Sequence, residues 1–198
     1  MKALLLIDIQ NDFLPGGALA VPHGDDVVPV ANRQMPAYEL VVATQDWHPA
    51  DHLSFASQHR GRRVGELVEL GGLPQILWPD HCVQGTSGAE FAPQLNRAAI
   101  AHVVQKGTDR AIDSYSGFFD NARRKATGLE SLLRQRSVNE IDVLGLATDY
   151  CVRATVLDAV SLGFHSTLLT AGCRGVELKP GDCQRAIDEM RAAGVQIQ

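Results

Sequence analysis

Short apolar, β-branched runs recur along the chain at 3–7, 40–44, 102–105, 141–146 and 167–170. Each is too short to form one face of a long helix, and together they predict strands buried in a sheet. Between them, 27–37, 128–136, 151–162 and 182–193 carry helical spacing or a capping residue. In 151–162, Val152, Val156, Ala159 and Val160 make a stripe at i, i+4, i+7 and i+8, and Gly163 stands where the helix should stop. Asp182 is placed to cap the last helix, whose apolar face would carry Ala186, Ile187 and Met190, and 195–197 is a candidate final strand. Strand alternating with helix predicts an α/β fold, a parallel sheet with helices on both faces, forming one domain over 1–198. No repeat, low-complexity tract or linker interrupts it. The exception to the rhythm is 46–91, rich in Gly, Pro and His and poor in periodicity, and loops of that length are usually functional.

In open parallel sheets ligands bind beyond the carboxyl ends of the strands. The residues standing there are chemically unusual: Asp8 after the first strand, Asp46 and His48 after the second, Lys106 after the third, and Ala147 to Cys151 after the fourth. Cys151 opens a helix directly after a strand and a tight turn. A helix N-terminus lowers a thiol's pKa, and its free N–H groups suit an oxyanion. Taken alone, Cys151 could equally be a small packing residue, Asp8 a turn cap and Lys106 a solvated strand end. Jointly they supply a nucleophile, a proton acceptor and a cation. A second grouping, Asp46, His48, His52 and His81, offers oxygen and nitrogen donors suited to Zn²⁺, Fe²⁺ or Mn²⁺, with loop histidines bonded to backbone or water as the alternative.

Composition narrows the field without naming a function. The 198 residues are 45% hydrophobic and 21% charged, ordinary values for a folded protein. A formal net charge of -5 argues against nucleic acid and anionic membranes as partners. The apolar start is too short for a signal peptide and no later run reaches a spanning length, so a cytoplasmic location is expected. Cys82, Cys173 and Cys183 show no disulfide or zinc-finger spacing and read as buried free thiols. His23, His59, His102 and His165 read as structural or solvated, and Arg60, Arg62, Arg63 and Arg123, Arg124, Lys125 as solvated surface.

Five strings in register cover almost the whole chain: IDIQNDFLPGGAL, TQDWHPADHLSFAS, WPDHCVQGTSGAEF, KGTD with DSYSGFFDN, and GLATDYCVRATVLDA. On these the chain resembles the nicotinamidase branch of the isochorismatase-like cysteine hydrolases. The resemblance implies a parallel sheet of about six strands. It also implies a catalytic triad of Asp8, Lys106 and Cys151 and metal ligands Asp46, His48 and His81, with His52 a fourth ligand or a neighbour of the ion. A cis Leu146-Ala147 peptide is implied, with an oxyanion hole at Ala147 and Cys151 and a pyridine slot formed by Phe13, Trp78 and Tyr115. The activity implied is hydrolysis of nicotinamide, and of pyrazinamide, through a Cys151 thioester, with one divalent ion (zinc foremost, iron or manganese as alternatives) orienting the ring. A sister amidase acting on carbamoyl or ureido compounds, and a non-enzymatic binding domain of the same fold, are the competing readings. Homo-oligomers would fit the relatives.

Overall fold

In the computed structural model, which describes residues 1–198, the strands are β1 (Lys2–Ile7), β2 (Leu40–Asp46), β3 (Leu67–Leu70), β4 (Leu73–Ile76), β5 (His102–Lys106), β6 (Glu140–Leu146), β7 (His165–Arg174) and β8 (Gln196–Ile197). Six of them pair in parallel in the order β5-β2-β1-β6-β7-β8. The helices are α1 (Val27–Gln34), α2 (Leu129–Gln135), α3 (Arg153–Ser161) and α4 (Asp182–Ala192). α1 packs on β6 and β7, where Gly172 leaves room for Val30 beside Leu144. From β1 the chain steps to β2 and β5 on one side, then returns to β6 on the other. The switch point is therefore the β1/β6 boundary, and a crevice opens above it.

Strands β2 and β5 run further than their apolar runs suggest, so Asp46 and Lys106 end strands rather than begin loops. Backbone pairing continues past the apolar residues because Asp46 lies opposite Lys106 in the ladder. Strand β7 likewise extends to Arg174, beyond the expected 167–170, with a register shift opposite Val143 and Gly145. Helix 27–37 divides: after Gln34 it tightens into a 3₁₀ turn at Met35–Ala37, where Pro36 contributes no N–H. Cys151 does not open an α-helix. It sits in a π-helical turn, Thr148–Val152, that leads into α3. Asp182 is the first residue of α4 rather than its cap. Gly181 takes the capping position in the left-handed conformation, and the Asp182 carboxylate accepts the Lys179 N–H at 2.8 Å.

Residues 46–91 contain an element the periodicity did not indicate, the antiparallel arm β3/β4 turned by Gly71 and Gly72. Both glycines have positive φ, as a two-residue hairpin turn requires. Cys82 and Cys173 are buried and free as expected, whereas Cys183 is only partly buried. No helix is long and apolar enough to cross a membrane.

Candidate active site

Each strand end delivers one group to the crevice. Asp8 leaves β1 in a left-handed conformation (φ 46°), and Gly145 of β6 has no side chain to strike the Ile7 backbone beside it. Thr44 on β2 fixes the carboxylate, its hydroxyl donating to Asp8 Oδ1 at 2.7 Å while accepting the Asp8 N–H at 3.2 Å. The Lys106 ammonium is buried among four acceptors. It donates to Ser114 O at 2.9 Å, Asp46 Oδ1 at 3.1 Å and Cys151 Sγ at 3.4 Å, and lies 2.9 Å from Asp8 Oδ2. Asp8 Oδ2 is buried, and the Lys106 ammonium is its one close polar partner.

Burial sets the resting protonation. It pushes the Cys151 thiol well above its usual range, and the opposing Lys106 charge does not outweigh it. The expectation that a helix N-terminus would draw this thiol down is therefore not met: desolvation of a buried thiolate, reinforced by the Asp8, Asp46 and Asp113 charges, dominates. Burial also raises Asp8, with Lys106 acting against it. Lys106 itself remains an ammonium: burial disfavours its charge, but Asp46 and Asp8 more than offset this. Cys151 therefore rests as a thiol beside an ammonium, so attack must be coupled to proton transfer.

Asp46, His48 and His81 place one ligand atom each within 4.8 Å of one another, all buried. The backbone presets both imidazoles. His48 Nδ1 donates to Gly107 O at 2.9 Å and His81 Nδ1 to Pro79 O at 2.7 Å, which turns both Nε2 atoms toward Asp46 Oδ2, at 3.0 and 3.5 Å. Burial opposes a charge on His48, but the Asp46 carboxylate prevails and pushes it up to about 9. Burial works against the Asp46 charge, but His48 and Lys106, with hydrogen bonds from His48 and His81, hold Asp46 well below the carboxylate range. His52 is outside this trio but forms a second buried donor cluster with His48 and Asp113, whose ligand atoms also lie within 4.8 Å of one another. Its ring lies 4.4 Å from that of His48, yet Nδ1 accepts from the Ser54 N–H (3.2 Å) and faces Ser54 Oγ (2.7 Å), while Nε2 faces Ile112 O (3.3 Å). Both nitrogens are occupied.

Cys151, Asp46 and His81 open into one cleft, lined also by Phe13, Leu19, Trp78, Asp113, Tyr115, Ala147, Tyr150 and Val176, while His48 is buried behind it. Tyr150 stands edge-on to Trp78 (4.9 Å) and Tyr115 (5.6 Å), and Phe13 edge-on to His81 (5.7 Å). The Tyr115 hydroxyl accepts from Trp78 Nε1 and from Gln75 of the hairpin arm. The Leu146-Ala147 peptide is cis. Sequence reasoning missed Leu19, Asp113, Tyr150 and Val176. Leu19, Asp113 and Tyr150 lie within the quoted strings IDIQNDFLPGGAL, DSYSGFFDN and GLATDYCVRATVLDA, whereas nothing in the sequence marks Val176.

The isochorismatase domain matches residues 2–198. The nicotinamidase of Escherichia coli K12 is 54% identical over 200 aligned residues, covering 99% of this chain and 93% of that protein. Among solved structures, a nicotinamidase/pyrazinamidase of Acinetobacter baumanii superposes with a TM-score of 0.96 at 42% identity, covering 99% of this chain and 94% of that one. The pyrazinamidase of Pyrococcus horikoshii in complex with zinc gives a TM-score of 0.81 at 40% identity, covering 100% and 98%.

Proposed function

The chain belongs to the isochorismatase family, and from that premise we propose that it hydrolyses nicotinamide to nicotinic acid and ammonia, with pyrazinamide as a second substrate. The observation that carries this reading is the shared cleft: an aromatic-walled slot that Cys151, Asp46 and His81 all line, with His48 buried beside Asp46 and His81. A flat ring with a nitrogen on one edge and a carboxamide on another satisfies both.

The residues fit a divalent ion. Both histidine Nε2 atoms face one carboxylate oxygen, and three buried carboxylates, Asp8, Asp46 and Asp113, stand against two cations, Lys106 and protonated His48. A bound cation would relieve that deficit. Asp46, His48 and His81 would hold it, and the zinc complex of the relative makes zinc the first candidate. When bound, the ion supplies an orienting bond to the ring nitrogen. His52, with both nitrogens occupied, packs against the trio as a supporting residue.

This chain's own residues carry the chemistry. Asp8 Oδ2 takes the thiol proton as Cys151 Sγ bonds to the carboxamide carbon, and Lys106 steadies the charges on both. The N–H groups of Ala147 and Cys151 receive the oxyanion. Collapse breaks the C–N bond, Asp8 returns its proton to the departing ammonia, and an acyl thioester remains on Cys151. Asp8 then deprotonates a water, whose oxygen bonds to the acyl carbon as the C–S bond breaks. Nicotinic acid leaves and the proton returns to the thiolate.

Ammonia release from nicotinamide, pyrazinamide, benzamide and a ureido amide, with metal content measured on the same sample, tests the reading. The two azine amides should be turned over far faster than the others. Preferential turnover of the ureido compound, or equal kcat/KM for benzamide and nicotinamide, would overturn it.

A further inference from the structure

Asp12 takes no part in these steps, yet the loops that build the cleft converge on its carboxylate. Oδ2 accepts the Cys82 N–H at 2.7 Å, and Oδ1 accepts the Ala18 N–H at 3.2 Å. The Asp12 carbonyl accepts from Leu19 at 2.9 Å. On its far side the carboxylate lies against Gly88 so closely that a Cβ there would fall 2.1 to 2.4 Å from its atoms and force it to shift. One side chain therefore touches the 79–91 loop at two points while holding its own loop closed.

Both connections lead to the site. Cys82 is buried in the left-handed conformation (φ 47°), and its N–H belongs to the peptide joining it to His81, an ion donor. The Cys82 carbonyl accepts the His48 N–H at 3.0 Å, so this one residue is tied to Asp12 on one side and to a second ion donor on the other. On the near side Asp12 is followed by Phe13, whose ring meets that of His81, and its carbonyl holds Leu19, which lines the same cleft. A carboxylate is suited to the task because it accepts at both oxygens, and hydrogen bonds to an ionised acceptor are stronger than those between neutral groups.

We propose that Asp12 is the positioning residue that locks the His81-Cys82 peptide to the Phe13-Leu19 loop, so that the ion donors and the ring-binding wall are set by a single contact. The proposal rests on the functional reading above. Its test separates the two by measuring zinc binding independently of turnover, using competition with a chromophoric chelator.

In Asp12→Ala, zinc affinity should fall by roughly 10 to 100-fold, the range seen when a group orienting a metal ligand is lost. KM for nicotinamide should rise, while kcat recovers most of its value at saturating zinc because Cys151, Asp8 and Lys106 are untouched. Asp12→Asn keeps one acceptor for the Cys82 N–H and should lie between wild type and Asp12→Ala in both quantities. A role confined to stability would lower the melting temperature and leave zinc affinity and KM of the folded protein unmoved, and that result would overturn the proposal. Should Asp12→Ala not fold, unchanged zinc affinity and KM in Asp12→Asn would overturn it equally. A wild-type protein that hydrolyses nicotinamide without binding zinc would instead remove the ion from the functional reading, and this proposal with it.

Discussion

Replacing Gly107 by alanine tests whether the backbone holds the proposed ion donors His48 and Asp46 in place. Gly107 follows β5 with φ at 65°, and its carbonyl accepts His48 Nδ1–H. A Cβ at this position would lie 2.4 Å from His48 Cε1, 2.7 Å from Nδ1 and 2.9 Å from Asp46 Oδ1. Ordinary contact begins near 3.4 Å, so the imidazole must retreat by about 1 Å. It has little room to do so, being buried with the rings of His52 and Phe55 at 4.4 and 5.4 Å. The left-handed conformation costs a non-glycine residue ~1–2 kcal/mol and overpacking a further ~1–3 kcal/mol. A total of ~2–5 kcal/mol leaves a typical domain folded but weakened, its melting temperature lower by roughly 5–15 °C. Displacing His48 from its carbonyl anchor should also weaken zinc binding by ~10 to 100-fold. Thermal melting and chelator competition on the same preparation measure both effects. Wild-type zinc affinity with an unmoved melting temperature would refute the claim that the close approach of Gly107 sets the donor geometry.

Cys151→Ala should abolish ammonia release and the acyl adduct seen by mass spectrometry while leaving the melting temperature nearly unchanged, because alanine is tolerated at this buried helical position; substantial turnover would exclude the thioester. Since burial raises the Cys151 thiol and only the thiolate is alkylated, the rate of reaction with iodoacetamide should climb with pH to a midpoint above the ~8.5 of free cysteine. A midpoint at or below that value would mean that Lys106 outweighs desolvation. His81→Ala should lose bound zinc and activity together, whereas His52→Ala should lose less of either, its nitrogens being engaged by Ser54 and Ile112. Equal zinc loss in the two variants would place His52 among the ligands.

The apolar runs and helical stripes were sufficient to read a parallel α/β sheet, because a strand buried on both faces has to be apolar along its length. That reading also led to Asp8, Asp46, Lys106 and Cys151. A parallel sheet brings all its carboxyl ends to one edge, so polar residues at those ends must converge wherever the loops run. Residue chemistry suggested a nucleophile, a proton acceptor, a cation and a metal donor, the motif resemblance implied the same roles, and these roles are a proposal. What tertiary structure alone decided depends on contacts between segments far apart in the chain. Asp12 meets Cys82 and Gly88 across some seventy residues, and Gly107 meets His48 across fifty-nine. No local period records either contact. The occupied nitrogens of His52 and the raised thiol of Cys151 belong to the same class. Hydrogen-bond commitment and desolvation are set by everything packed around a group, so they take their values only when the whole fold closes over it.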